Sequence, residues 1–381
     1  MKQSLALEHD LNVFSANQHD RFLSFLESVE KNTIVFQLDS TNQVMLGSDL
    51  TTVSGNSRLT WTALRQCCNY LSKSFYTTIS DLCGRSFTNK SDMSMYSNQD
   101  AIVVFNTVLK RRFDKGLSGK KIIKNSSSNT IEAVLGDKYR RLSNHLLINK
   151  AEHYLKRLGY RYEFSQAVIS GRRLQARYVF EEPIPLSNFS TNIHFDPVKA
   201  GVLFTNSEYG DSSLKMTLFI SFGSLGTTLL PYSASWCLDH KGVNFNDKLN
   251  SLLVDIEKKR TELDEHNIEA MLIQLQQSNL GLSGNKETDD KWLKTLNKKL
   301  SAQKLNSSVV DKVMQRTLFS RVEEGNVVLA RVDKAKVWPD KSALDMFVAL
   351  LAEGSSSVTN MAVRDNIEQS SFKLLSGKMR L

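Results

Sequence analysis

Ser118-Gly119-Lys120-Lys121 is the first stretch whose residue types invite chemistry, because a Gly-Lys pair can hold phosphate. A phosphate loop needs an earlier glycine four residues before Gly-Lys and a hydroxyl residue after it. Gly116 is too close and Lys121 stands where Ser or Thr must be, so nucleotide binding by that route is rejected. No GxGxxG, GxSxG or HExxH occurs. Among the seven histidines, His194 with Asp196 and Asp239 with His240 imitate half of a catalytic dyad. Neighbours one or two apart on a strand rarely aim at one reacting atom, so structural roles are expected. Glu208, in Asn206-Ser-Glu-Tyr-Gly210, is the acid to inspect first, and stabilising a turn is its expected role. Cys67, Cys68, Cys83 and Cys237 fit neither a zinc pattern nor a dense disulfide frame, which predicts reduced, mostly buried thiols. No catalytic residue, cofactor or metal site is expected from these patterns.

Charge is the stronger signal. The formal net charge is +9, yet residues 101–180 hold 17 Lys or Arg against five acids, leaving a net −3 for everything else. The densest part, Leu109 to Lys124, carries Lys110, Arg111, Arg112, Lys115, Lys120, Lys121 and Lys124 against Asp114 alone. Gly116, Ser118 and Gly119 predict a flexible loop in its middle, able to mould cations to a phosphate backbone and release counterions. A solvated loop that balances the acidic remainder of the chain is the other reading.

Further along, Val168-Ile-Ser-Gly-Arg-Arg-Leu-Gln-Ala-Arg177 reads as a hairpin with a Ser-Gly turn. On its second strand Arg173, Gln175 and Arg177 share one face, and Leu174, Ala176 and Tyr178 the other. With Arg172 these form a candidate backbone-tracking surface, and Arg140 and Arg141 add to the basic segment. Tyr160 and Tyr162 flank Arg161 as stacking platforms for single strands do, although strand aromatics are more often core.

The elements that must position these residues follow from hydrophobic period. Helices are predicted over Asp20–Val29, Leu59–Tyr76 and Ser143–Leu158, with a strand over Thr33–Leu38 and a polar loop over Thr88–Asn98. From Tyr160 to His240 four or five strands with clear turns predict one antiparallel sheet, bounded by prolines. The charge-free Met216–Leu238 run carries Ser, Thr, Gly and Pro, and reads as strand, turn and strand rather than a membrane span. Helices return from Asn246, where Leu249, Leu252, Leu253, Ile256 and Leu263 make an apolar stripe, and again over Ser342–Ala352. The fold class is therefore α+β: a central antiparallel sheet with flanking helices and a helical C-terminal region. The division expected is a mixed region 1–100, a basic strand-rich domain 101–245, and a helical region 246–381 with a linker near 278–290.

Four segments together resemble a family found in phages, prophages and plasmids and called a domain of unknown function. They are Ala133–Asn144, Val168–Arg177, Gly201–Gly210 with Ser213-Leu-Lys215, and Trp236–Gly242. Asn-Ser-Glu-x-Gly and the later Cys and His are the more specific marks. Phe219–Trp236 departs from the family pattern in being richer in Gly and Thr. The resemblance covers about residues 130–380; it implies a mobile-element origin and supplies no catalytic residue.

The resulting expectation is a sequence-tolerant protein that binds single-stranded RNA or DNA through its basic loop and strand face. A phage assembly protein touching genome or an acidic partner is the alternative, and an enzyme with dispersed carboxylates ranks third. The N-terminus has no basic stretch followed by an apolar run, so secretion is not expected and the cytoplasm is the predicted location. No membrane partner is expected, and a homo-oligomer stays open.

Overall fold

The computed structural model describes residues 4–83, 98–157, 159, 161–189, 193, 195, 197–230, 235–240, 247–251, 254–255, 267–280, 286–323, 326–329, 341–357 and 360–379. It is an α+β structure with two main hydrophobic cores. The larger core is built on an antiparallel seven-stranded sheet, ordered β1 (Leu11–Ser15), β6 (Tyr162–Ser170), β7 (Arg173–Pro183), β8 (Val198–Ser207), β9 (Leu214–Phe222) and β10 (Thr227–Leu229). β11 (Ser235–Leu238) also pairs with β9. The single antiparallel sheet expected over Tyr160–His240 is present, and β1 extends it from far away in sequence. Met216–Leu238 contributes β9, β10 and β11, and among the described residues no helix is long and apolar enough to cross a membrane.

Strand alternation sends Leu174, Ala176 and Tyr178 into the larger core, where α1 (His19–Lys31) and α5 (Asn144–Arg157) supply Phe22, Leu26, Leu147, Ile148 and Leu155. Helices α6 (Ile268–Gln277), α7 (Lys286–Ser301), α8 (Ser307–Phe319) and α9 (Ala343–Ser356) add to the same core, so the C-terminal region is continuous with the sheet's packing. α7 begins inside the stretch read as a linker. The helical region also contains a hairpin, β12 (Ser320–Glu323) with β13 (Asn326–Leu329). Leu249 is buried in the larger core from a helical turn at 247–251; Leu252, Leu253, Ile256 and Leu263 lie outside the described residues, as does Thr88–Ser97.

The smaller core draws on both sides of residue 100, from Leu5 to Val134, while β1 and α1 between them pack into the larger core. It joins α2 (Trp61–Leu71), α3 (Phe75–Leu82) and α4 (Asn98–Gly116) to a sheet ordered β2 (Thr33–Gln37), β4 (Lys121–Asn125), β5 (Thr130–Leu135) and β3 (Arg58–Leu59). The helix expected over Leu59–Tyr76 is two helices. Thr60 caps α2 by accepting from the Ala63 N–H, and Ser72 is extended, which ends it.

The face of the large sheet that carries Gln175 and Arg177 is covered by α10 (Met361–Leu375) through polar contacts. Arg177 is 2% exposed and donates to Glu368 at 2.9 Å and to Thr227 at 3.0 Å. Arg364 donates to Glu368 at 2.8 Å, and Gln175 donates to both Asp365 oxygens. Burial, aided by the Glu368 charge, pushes the Asp365 carboxyl up to about 6. A carboxyl raised in the folded state holds its proton more tightly than in the unfolded chain, so its contribution falls as pH rises from about 4 to about 6. Asp365→Asn should therefore match the parent near pH 4 and exceed it at pH 7 by about 3 kcal/mol in urea unfolding. A difference that does not change with pH would refute this assignment.

The β6–β7 hairpin turns at Gly171 with φ 59°, the left-handed conformation that suits glycine at the first central position. A Cβ there would stand 2.2 Å from the Tyr209 hydroxyl and 2.7 Å from His9 Nδ1. Gly171→Ala should thus destabilise the fold by about 2 to 3 kcal/mol, read as a lower urea midpoint; an unchanged midpoint would mean that the turn relaxes freely.

Candidate nucleic-acid interface

The segment expected to be a flexible basic loop is helix, tight turn and strand. Leu109, Phe113 and Leu117 recur at helical spacing and are buried, which carries α4 through Gly116. Gly116 serves close packing: a Cβ there would meet the Tyr70 carbonyl at 2.6 Å. Lys110, Arg111 and Lys115 are exposed on the last turns of α4, where cations also complement the helix dipole. Arg112 donates to the Leu71 carbonyl at 3.0 Å and so closes the C-terminus of α2. Lys120 lies 3.6 Å from Asp137 and over the Tyr70 ring, and Lys121 donates to the Tyr139 carbonyl at 3.1 Å. Lys124 is half-buried on β4, while Arg140 is exposed.

The strand-face arginines do not form a track. Besides Arg177 under α10, Arg173 is bound to Asp211 and lies over the Tyr209 ring. Arg172 is 1% exposed; its guanidinium is paired with Glu132, donates to Thr33 Oγ1 at 2.7 Å and lies 3.3 Å from Glu208. Tyr162 is half-buried: its ring meets Tyr178 edge to face, and its hydroxyl donates to the Glu152 carbonyl at 3.3 Å. Tyr160 lies outside the described residues, as do His194 and Asp196.

Glu208 is 1% exposed, and its role is larger than stabilising a turn. It accepts from the backbone N–H of Asn144 at 2.8 Å, from Arg141 Nε at 2.8 Å and from Arg172. Arg141 is also paired in bidentate fashion with Glu30, which burial raises but the hydrogen bonds and charge of Arg141 hold below the usual carboxylate range. Asn206 donates to the Leu142 carbonyl and to Asn144, and Tyr139 donates to the Ser207 carbonyl. Asp239 takes the Ser213 hydroxyl while His240 stacks on Tyr139, so the two do not work as a dyad. Segments dispersed in sequence thus meet at one junction between the two cores, and its carboxylates are engaged by guanidinium groups. Among the described residues no cluster of three or more His, Cys, Asp or Glu could hold a metal ion. Cys67 and Cys68 are buried, Cys83 is half-buried and Cys237 is exposed, and none of the four is in a disulfide.

A basic hollow lies on α5. A hollow of about 410 Å³ is lined by Asn149, Lys150, His153, Tyr154, Arg157 and Asn250, none of them acidic. Lys150, His153, Tyr154 and Arg157 fall at i, i+3, i+4 and i+7, one face of the helix. The opposite face buries Leu147, Ile148, Ala151 and Leu155 in the larger core, which turns the cations outward. Lys156 and Arg157 lie in the last turn and suit the helix dipole, but Lys150 sits two turns earlier and gains nothing from it. A larger hollow of about 540 Å³ between α7 and α8 mixes Asp290 and Asp311 with Lys294 and Lys298, a poor fit for phosphate. Sequence reasoning had the α5 helix but read its cations only as part of a net charge. The helical period applied to Lys and Arg would have grouped them.

Compared with known proteins, the chain matches no family model, no curated protein and no solved structure.

Proposed function

We propose that this protein binds single-stranded nucleic acid without sequence preference, and that the groove on α5 is where the strand lies. The observation that carries this reading is the hollow in which Lys150 and Arg157 sit with His153, two amides and the Tyr154 ring, with no acid among its described lining residues. Cations spaced along a groove track phosphates, amides hydrogen-bond phosphates or base edges, and an aromatic edge suits bases. Lys156 and Arg161 are exposed next to it in sequence, and Lys110, Arg111 and Lys115 on α4 offer further sequence-independent contacts. The mobile-element origin that the resemblance implies, and action in a host cytoplasm, belong to the same proposal.

The test is fluorescence anisotropy of nuclease-treated protein with labelled single-stranded RNA, single-stranded DNA and duplex DNA over a salt series. Phosphate tracking predicts that log K falls linearly with log salt, with a slope of roughly −0.7 per phosphate contacted on a single strand. Failure to bind any of the three at low salt would remove the proposal.

A further inference from the structure

His153 stands between the two cations of the α5 groove. Lys150, His153 and Arg157 fall at i, i+3 and i+7 on one face of the helix, and all three line the hollow with Asn149, Tyr154 and Asn250. Seven helical residues span about 10 Å along the axis, so a phosphate backbone that reaches both Lys150 and Arg157 passes His153. Ammonium and guanidinium groups keep their charge between pH 5 and 8, whereas an imidazole as a rule gains or loses one in that range. The His153 side chain is exposed, and no ion pair or hydrogen bond holds its ring among the described residues.

The neighbouring charges are engaged elsewhere or lie off the hollow. Glu152, next to His153 in sequence, is buried: it accepts from the Tyr178 hydroxyl and is bonded to His19 of α1, each at 2.7 Å. The turn at 247–251 brings Asn250 to the hollow, while its Asp247 and Lys248 are exposed, opposite in charge and not among the lining residues. Lys156 is exposed beside Arg157. His145, two turns earlier on α5, is bonded to Asn149 at 3.0 Å and has Glu27 of α1 as its neighbouring acid. Among the described residues, then, no carboxylate lines the hollow to serve as counterion to an imidazolium at His153. A phosphate lying between Lys150 and Arg157 supplies that anion, and an anion beside an imidazole favours its charged form.

We propose, resting on the reading that a nucleic-acid strand lies in this groove, that His153 takes up a proton as the strand binds and becomes a third phosphate contact beside Lys150 and Arg157. The complex then holds that proton more tightly than the free protein does. Affinity therefore rises as pH falls through the imidazole range, and the gain is lost as pH rises again. Two permanent cations keep the groove competent at every pH in this range, and the third tightens its grip in acid.

Fluorescence anisotropy of the nuclease-treated full chain with labelled oligothymidylate and oligouridylate, whose bases do not take up protons in this range, tests it at about pH 8 and about pH 5.5 over a salt series. The parent should bind roughly 3- to 5-fold more tightly at the lower pH, with a salt slope steeper by about 0.7, the value of one further phosphate contact. At both pH values His153→Gln should bind as the parent does at the higher pH, and His153→Lys as the parent does at the lower. Both substitutions fall at an exposed position and should leave the melting temperature unchanged. A parent with the same affinity at both pH values, or a rise that His153→Gln retains, would overturn the proposal and leave strand binding standing. Failure of both oligonucleotides to bind at low salt at either pH would instead remove the reading on which it rests.

Discussion

Glu208→Ala should destabilise the protein by about 3 to 5 kcal/mol, because it removes a buried carboxylate shared by two guanidinium groups and a helix N–H. In the folded chain the Glu208 carboxylate binds Arg141, Arg172 and the first N–H of α5 at once. Removing it takes the acceptor from that N–H and leaves Arg172, 1% exposed, with Glu132 as its remaining carboxylate partner. Arg172 Nη2 already has no acceptor among the described residues, so the site holds no spare hydrogen-bonding capacity. Glu208→Gln keeps an acceptor for the helix N–H but loses the charge, and should fall between the two. Glu30→Ala offers the comparison: Glu30 keeps 36% of its side chain exposed, and solvent reduces its worth to about 1 kcal/mol or less. Urea unfolding followed by circular dichroism reads all three. If Glu208→Ala loses less than about 1 kcal/mol, water must reach the junction and the two cores are not sealed against each other.

Lys150→Ala with Arg157→Ala should weaken single-strand binding roughly 10- to 30-fold near 0.1 M salt and flatten the salt slope by about 1.4, the loss of two phosphate contacts. Neither side chain is fully buried and neither has a charged partner among the described residues, so the melting temperature should stay within a degree or two of the parent. The matched control is Lys110→Ala with Arg111→Ala, which removes the same charge from exposed positions on α4. If both pairs lower affinity equally, binding is a diffuse response to net charge. If only the α4 pair matters, the strand lies across α4 and the α5 groove is not the site. An affinity unaffected by either pair would leave neither surface as the interface.

The same comparison shows why the charge reading needed three dimensions. Seven cations between Leu109 and Lys124 look like one loop when read in a line. Folded, they divide among an exposed helix end, a bond closing α2, a contact with Tyr70 and Asp137, and a strand. Arg172, Arg173 and Arg177 lie within six residues of sequence, yet their partners lie 40, 36, 38 and 191 residues away. Linear spacing contains nothing about such partners.

What the sequence determined by itself was local: the period of two that makes the large sheet, the Ser-Gly hairpin turn, the amphipathic helices at His19–Lys31 and Asn144–Arg157, and hence the α+β class. It also marked Glu208 as an acid at a turn, Asn206 as part of the same motif, and Arg141 and Arg172 as phosphate contacts, without pairing them. Only the tertiary structure decided that these four meet in one buried junction, that β1 crosses to the large sheet, and which cations face water. The reason is physical. Strand and helix periods are set by neighbours a few residues apart, whereas whether a charge is free depends on which distant acid the packing brings within about 3 Å.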